Sequence, residues 1–186
     1  MSQPLVYFGT ASLDGYRADP DGGLDWGPPL TEQVLEFINE LFRPTRLHLY
    51  GRRNAEVMTF WDTADHDALE GASREWQQLW RGFHKVVYST TLSEPGLVGA
   101  ELRDRFDVDE IARWKAEADA PVAIAGGVLA SEAARAGLLD EVHVIVAPVY
   151  LGGGTRFLDE GLHLDLEPLD EHRFDNGSIY LRSRVR

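Results

Sequence analysis

The chain lacks cysteine, has few basic residues and contains no long apolar run, and each lack excludes a class of protein. Without cysteine there is no disulfide, no thiolate zinc site and no cysteine nucleophile. The net charge of −13 argues against a nucleic-acid partner, because binding a phosphate backbone depends on clustered cations. No window approaches the roughly 18 apolar residues of a membrane span, and the N-terminus shows no secretory signal. We therefore expect a cytoplasmic protein without a membrane partner.

The 186 residues, 44% of them hydrophobic, predict one domain over residues 1–186. Apolar stretches that suit buried strands alternate with amphipathic stretches that suit helices, the first of which has Thr31 as its predicted N-cap. The C-terminal part alternates polar and apolar residues, with a strand predicted at 162–169 and a two-residue hairpin turn at Asn176 and Gly177. These patterns predict an α/β fold: a mostly parallel mixed sheet of about eight strands with an antiparallel C-terminal edge.

A predicted buried strand ends directly in Gly126 and Gly127, and an alanine-rich predicted helix follows. In open α/β sheets, ligands bind at the carboxyl ends of the strands, where helix N-termini present unpaired N–H groups. Two residues without a Cβ let a phosphate approach the backbone closely, although a tight turn alone also explains the pair. The spacing matches neither the dinucleotide fingerprint nor a P-loop.

Two further strand ends suit an anion. Gly51 precedes Arg52 and Arg53 at a predicted helix start, where arginine conflicts with the helix dipole unless an anion lies between them. Ser89 and Thr90 end another predicted strand, and their hydroxyls can donate to phosphate oxygens. Solvated arginines and ordinary turn residues explain each segment alone, but the three strand ends together favour a phosphate-bearing ligand.

With these segments in this order, the sequence resembles the dihydrofolate reductase-like family. Within that family it is similar to the C-terminal reductase domain of the bifunctional deaminase-reductase of riboflavin biosynthesis, as a stand-alone member. The resemblance runs from about Leu5 to Val185 and is most specific over residues 124–157, where "GLLDEV" leads into "APVYLGGG". It implies a three-layer α/β/α fold, a homodimer, NADPH as cofactor and a pyrimidine- or pterin-like heterocycle as substrate.

The resemblance also implies residue roles. Trp26 and Glu32 are similar to the tryptophan and carboxylate with which vertebrate-type dihydrofolate reductases hold the pterin, so Glu32 is a candidate for both substrate binding and catalysis. A first-turn glutamate also suits the helix dipole without any such role. Asp14, in "SLDG", is a second catalytic candidate or a turn organiser. Asn54 replaces the family's usual threonine. The implied cofactor-binding residues are Gly51, Arg52, Arg53, Asn54, Ser89, Thr90, Gly126, Gly127, Val128 and Leu129.

The chain departs from the riboflavin-pathway enzymes at their Asp-Asn-Pro-x-Leu-Thr segment, where it reads "AEVMTFWDTADHDALEG". The acidic cluster around His66 in that insert is typical of a solvated turn, so no metal is predicted. Two alternatives to the riboflavin-pathway reaction stay open: dihydrofolate reduction, and nucleotide or folate binding without turnover. A structural interaction protein, based on Trp61, Trp76 and Trp80, is a third.

Overall fold

The computed structural model describes residues 2–28 and 30–186, which form ten strands, five α-helices and a 3-10 helix at His66–Ala68. The strands are β1 Leu5–Ser12, β2 Tyr16–Ala18, β3 Leu47–Gly51, β4 His84–Tyr88, β5 Ala100–Arg103, β6 Val122–Ala125, β7 Glu141–Ala147, β8 Thr155–Arg156, β9 Leu166–Arg173 and β10 Ile179–Val185. The α-helices are α1 Glu32–Phe42, α2 Arg52–Thr63, α3 Gly71–Gly82, α4 Val108–Glu117 and α5 Gly127–Arg135.

Eight strands form one mixed sheet in the order β5-β4-β3-β6-β1-β7-β10-β9, and β2 pairs with β8 in a separate ribbon. Pairing is parallel from β5 to β7 and antiparallel for β10 and β9. The predicted fold class, a mostly parallel sheet with an antiparallel C-terminal edge, is therefore confirmed. Because the parallel strands share one direction, the carboxyl ends of β1, β3, β4 and β6 lie along the same edge of the sheet.

Helices cover both faces of the sheet, which confirms the three-layer α/β/α arrangement. The helices α1, α2 and α3 pack on one face in a core that includes Tyr50, whereas α4 and α5 pack on the other in a core that includes the preceding residue, Leu49. Successive residues of a strand point to opposite faces, so a central strand covered by helices on both sides is apolar throughout. No helix in the described part of the chain is long and apolar enough to cross a membrane.

The C-terminal hairpin differs in detail from its prediction. Phe174 N donates to the Ser178 carbonyl at 2.9 Å and Gly177 N to the Phe174 carbonyl at 3.0 Å. The loop thus has three residues inside its closing pair, with Gly177 at φ +86°, rather than the two predicted. The antiparallel partner strand β9 accordingly lies later than predicted, and its Pro168 is tolerated because β9 is an edge strand.

Two local features were not foreseen from the sequence. The edge strand β5 is short and partly exposed, so it lacks the apolar signal of a buried strand. Thr31 does occupy the N-cap position of α1, but its side chain makes no capping hydrogen bond, and Thr31 Oγ1 has no partner within residues 2–28 and 30–186.

Candidate active site

A groove of about 1160 Å³ follows the carboxyl ends of β3, β4 and β6, and we call it the cationic groove. All of the residues for which cofactor binding was predicted line it, and the structure therefore brings together segments that are far apart in sequence. They are Gly51, Arg52, Arg53, Asn54, Ser89, Thr90, Gly126, Gly127, Val128 and Leu129. Their role in cofactor binding stays a prediction.

Glycine is required at both positions after β6, but for different structural reasons. Gly126 has φ +114°, a conformation that side chains with a Cβ rarely adopt. Gly127 has ordinary φ, but a Cβ there would collide with the backbone carbonyl oxygen of Phe157. Close packing of Phe157 against the start of α5, and not the turn alone, therefore requires the second glycine.

Two helix N-termini open into the cationic groove without a side-chain cap. The helix α5 starts at Gly127 and α2 starts at Arg52, and neither N-cap residue makes a side-chain capping hydrogen bond. The first N–H groups of a helix have no acceptor within the helix, and the helix dipole adds positive potential there. An anion in the cationic groove would interact favourably with both helix ends.

Arginines make the cationic groove positive although the whole chain is strongly acidic. Six arginines but only three carboxylates line it. Arg52, Arg135 and Arg156 are paired with Glu56, Asp159 and Glu160. The remaining three arginines, whose guanidinium groups have no hydrogen bond or ion pair within the described residues, are Arg17, Arg53 and Arg105.

Next to the cationic groove lies a cavity of about 350 Å³ with mostly apolar walls, which we call the apolar cavity. It opens between the sheet, α1, α2 and the segment 24–28, and its size suits a small ring compound. Trp26, predicted to bind substrate, lines this cavity, and its Nε1 donates to the Arg17 carbonyl at 3.3 Å. Other walls are formed by Val34, Ile38, Met58, Trp61 and Ile145.

The buried polar groups at the base of the apolar cavity satisfy one another. Thr45 Oγ1 donates to the Phe42 carbonyl at 2.7 Å, so it accepts from His48 Nε2, also at 2.7 Å. His48 Nδ1 is then an acceptor for the Tyr50 hydroxyl at 2.9 Å. Burial, reinforced by the charge of Lys85, lowers the pKa of His48 from 6.5 to about 3. His48 is therefore neutral at physiological pH.

The cationic groove and the apolar cavity share one wall. Arg17, Asn54 and Gly126 line both of them. A ligand extended along the cationic groove would thus reach a second ligand held in the apolar cavity at this point. Because Gly126 has no side chain, it leaves the backbone accessible from both sides.

Asp14, a catalytic candidate from the sequence, organises a turn outside both cavities. Its carboxylate accepts the N–H groups of Leu151 and Gly152 at 3.0 and 2.7 Å and the Ser12 hydroxyl at 2.7 Å. Desolvation raises the pKa of Asp14, but these hydrogen bonds outweigh it and lower the pKa to about 2. A carboxylate that is ionised at neutral pH and accepts two backbone N–H groups is expected of a residue that organises a turn, which was the alternative to a catalytic role.

Glu32, the other catalytic candidate, also lies outside the residues that line the two cavities. Its Oε1 accepts the N–H of Ala72 at 2.6 Å, at the start of α3. The structure thus brings Trp26 to the apolar cavity but does not bring Glu32 there. The glutamate instead accepts a hydrogen bond from one of the N–H groups at the N-terminus of α3, which have no acceptor within the helix.

Substituting Glu32 separates its two suggested roles. We expect Glu32→Ala to lower the free energy of unfolding by about 1 kcal/mol, because it leaves the Ala72 N–H unpaired. Chemical denaturation measures this, with the exposed Glu36→Ala on the same helix as the matched control. If Glu32→Ala instead lost turnover by orders of magnitude at unchanged stability, the result would support a catalytic role for Glu32.

Sequence reasoning missed Arg17, Arg105 and Phe106, all of which line the cationic groove. Arg17 lies among glycines, aspartates and a proline that indicate only a turn, and Arg105 and Phe106 follow β5, which was not predicted. Of the tryptophans considered for an interaction surface, Trp76 and Trp80 are buried in the core. The acidic insert is held by hydrogen bonds from Trp80 Nε1 and Val98 N to Asp62, both at 2.8 Å.

Solved structures with the same fold include several reductases. A candidate riboflavin biosynthesis protein from Shewanella sp. PV-4 has a TM-score of 0.76 and 22% identity, covering 100% of this chain and 99% of that one. The diaminohydroxyphosphoribosylaminopyrimidine deaminase/5-amino-6-(5-phosphoribosylamino)uracil reductase of Thermotoga maritima has a TM-score of 0.66 and 16% identity. The match covers 100% of this chain but 57% of the Thermotoga protein, so the chain spans little more than half of that relative.

Dihydrofolate reductase from Enterococcus faecalis, solved with NADP(H), has a TM-score of 0.65 and 14% identity, covering 100% of this chain and 99% of that one. No curated protein matches the chain. The model of the family described as the RibD C-terminal domain matches residues 4–180. Because that match covers nearly the whole sequence, the chain belongs to the RibD C-terminal domain family.

Proposed function

We propose that the chain is an NADPH-dependent reductase acting on a flat heterocycle, with a pyrimidine-type ring as the first choice of substrate. The observation that carries the proposal is the shared wall between the cationic groove and the apolar cavity. A cofactor with phosphates at one end and a reactive ring at the other suits this pair of cavities. Two structural relatives agree with this proposal, since one is a 5-amino-6-(5-phosphoribosylamino)uracil reductase and the other was solved with NADP(H).

The residues of the cationic groove fit the phosphates of NADPH. The uncapped start of α5, where Gly127 carries no Cβ, suits the diphosphate. Ser89 and Thr90 supply hydroxyls at the end of β4, and Arg53 and Arg105 supply guanidinium groups without partners in the described chain, which suits the adenosine 2′-phosphate.

The apolar cavity would bind the substrate ring and orient it for reduction. Bound NADPH would supply the hydride that reduces the carbon of a C=N or C=O bond, and solvent water would supply the balancing proton. Trp26 and Trp61 offer aromatic surfaces on which a flat ring packs. The apolar walls hold the ring beside the shared wall.

Dihydrofolate is the weaker alternative, because the carboxylate assigned to the pterin, Glu32, is bonded to α3 instead. The homodimer stays a prediction.

Titration with NADPH and NADH tests the proposal. Tryptophan fluorescence reports binding, because Trp26 and Trp61 line the apolar cavity, which meets the cationic groove at the shared wall. Tight binding of NADPH, with weaker binding of NADH, is the expected result. Absence of binding by either nucleotide would overturn the proposal.

Cofactor preference is expected to depend on Arg53. Removing a guanidinium that faces a phosphate removes a charge-assisted hydrogen bond, so Arg53→Ala should weaken NADPH binding about tenfold and leave NADH binding nearly unchanged. Arg173→Ala, on the edge strand β9, is the matched control, because it removes the same charge far from the cationic groove. Equal losses for NADPH and NADH would show that Arg53 does not meet the 2′-phosphate.

A further inference from the structure

Besides its histidine and its aromatic side chains, the apolar cavity is lined by four neutral polar side chains, those of Thr10, Asn54, Asn176 and Ser178. Asn54 lies at the wall shared with the cationic groove. Asn176 holds the loop between β9 and β10, because its Oδ1 accepts the Ser178 N–H at 3.0 Å. Thr10 and Ser178 line the apolar cavity alone and not the cationic groove. Their hydroxyls are therefore the neutral polar groups that lie on the substrate side of the shared wall.

The hydroxyl of Ser178 is buried and lacks a protein partner. Ser178 is 2% exposed, and its Oγ makes no hydrogen bond with any residue that the structure describes. Its backbone is held from both sides, since its N–H donates to Asn176 and its carbonyl accepts Phe174 N at 2.9 Å. A buried hydroxyl without a partner costs free energy that a hydrogen bond to a ligand recovers. Ser178 thus presents a fixed hydrogen-bonding group to the apolar cavity.

Thr10 presents a second hydroxyl on the same face of the sheet. Successive residues of a strand point to opposite faces, and Phe8, two residues before Thr10, packs in the core beneath α1, α2 and α3. Tyr180, two residues after Ser178, packs in that same core. The half-buried Thr10 hydroxyl also has no hydrogen-bond partner among residues 2–28 and 30–186. Both hydroxyls therefore lie on the sheet face that forms the floor of the apolar cavity.

The sheet sets the distance between the two hydroxyls. Strand β7 lies between β1, which carries Thr10, and β10, which Ser178 directly precedes. Two strand spacings amount to roughly 10 Å, which accommodates one six-membered ring with a hydrogen bond at each edge. Ile145 and Ala147 of β7 line the cavity between the two hydroxyls. They form an apolar surface on which the flat side of such a ring packs.

Two hydroxyls at this spacing suit a pyrimidine ring. A hydroxyl both donates and accepts hydrogen bonds, so it binds a carbonyl, a ring nitrogen or an amino group. A pyrimidine carries such groups around its edge, in its oxo and in its amino forms, whereas a carbocycle carries none. A ring held in this position leaves Arg17 and Asn54, at the shared wall, available to a sugar or phosphate substituent.

We infer that the hydroxyls of Thr10 and Ser178 bind opposite edges of the substrate ring, which lies over Ile145 and Ala147. The inference rests on the proposed reductase function and deepens it by naming the residues that recognise the ring. Thr10 and Ser178 are specificity-determining residues, because a site built to hydrogen-bond its ligand discriminates against an analogue that lacks the polar groups.

The test compares two probes, 6-aminouracil and toluene, of which the second fills an apolar cavity without hydrogen bonds. Calorimetric titration measures their binding to the wild type, Thr10→Val and Ser178→Ala, with and without NADP⁺. We expect each substitution to weaken 6-aminouracil binding about tenfold. The double variant should weaken it about a hundredfold, because the two hydroxyls contact separate edges of the ring. Toluene should bind all of these proteins alike, which shows that the cavity is intact.

Two control variants accompany the test. Thr10→Ser keeps the hydroxyl and should retain most of the affinity for 6-aminouracil. Ser183→Ala removes a hydroxyl from the opposite face of β10, where Ser183 pairs with Val142 of the other core. It should bind both probes as the wild type does.

Equal affinity of the wild type and both single variants for 6-aminouracil would overturn the inference. Losses that toluene shares would also overturn it, because they would reflect a changed cavity and not a lost hydrogen bond. NADPH binding by the wild type is measured separately. Protein that binds NADPH, but whose binding of 6-aminouracil does not depend on Thr10 and Ser178, contradicts only the ring contacts. Protein that binds 6-aminouracil through these hydroxyls but does not bind NADPH contradicts only the reductase proposal.

Discussion

Gly127→Ala is expected to lower the free energy of unfolding by about 2–3 kcal/mol and to abolish measurable NADPH binding. The added Cβ collides with the carbonyl oxygen of Phe157. That oxygen cannot move away without cost, because it accepts the buried Tyr7 hydroxyl at 2.7 Å. Relief of the collision therefore either breaks this hydrogen bond or displaces the first turn of α5 from the cationic groove.

The matched control is Gly82→Ala, at the end of α3. A Cβ there has nothing within 4 Å, and alanine is favoured over glycine in a helix by up to about 1 kcal/mol. Chemical denaturation and NADPH titration of both variants give the comparison. A Gly127→Ala protein as stable as Gly82→Ala would contradict the close approach of Phe157.

The second large effect is a loss of stability in acid that depends on His48. Burial lowers its pKa from 6.5 to about 3, so between these values the unfolded chain binds a proton that the folded chain does not. By linkage, titration of His48 leaves the free energy of unfolding unchanged above pH 6.5. Below pH 6.5 it lowers this free energy by roughly 1.4 kcal/mol for each pH unit, down to about pH 3. At pH 5 the loss due to His48 is expected to reach about 2 kcal/mol.

Urea denaturation between pH 4 and 7 measures this effect. His48→Gln removes the titration, and we expect the pH dependence of its stability to be shallower by the contribution of His48. His163→Gln, which removes an exposed histidine, should keep the wild-type slope. If the His48→Gln slope matched the wild type as well, protonation of His48 would not be coupled to unfolding.

The cationic groove was predictable because its parts are local. Gly51, Ser89 and Gly126 each end an apolar strand, and parallel strands bring their carboxyl ends to one edge whatever the rest of the chain does. Apolar periodicity located the strand ends, and the glycines, arginines and hydroxyls at those ends indicated an anion site. The Asn-Gly turn was located for the same reason, although its length was not.

The substrate side could not be predicted in this way. Arg17 reaches the apolar cavity through the β2–β8 pairing, whose partners lie about 140 residues apart. Glu32 was placed in the site by its distance from Trp26 in sequence, but the position of α3 decides where its carboxylate lies. Such positions depend on tertiary packing, which no local pattern encodes.

The segment around Phe157 has a consequence for the entropy of ligand binding. Phe157 N donates to the Gly15 carbonyl at 2.9 Å, Phe157 O accepts from Tyr7, and Asp159 N donates to Ser131 Oγ at 3.0 Å. One short segment thereby joins the central strand, the ribbon that carries Arg17 and the helix that starts at Gly127. A wall fixed by so many independent bonds is rigid before any ligand arrives, so binding requires little further ordering of the backbone.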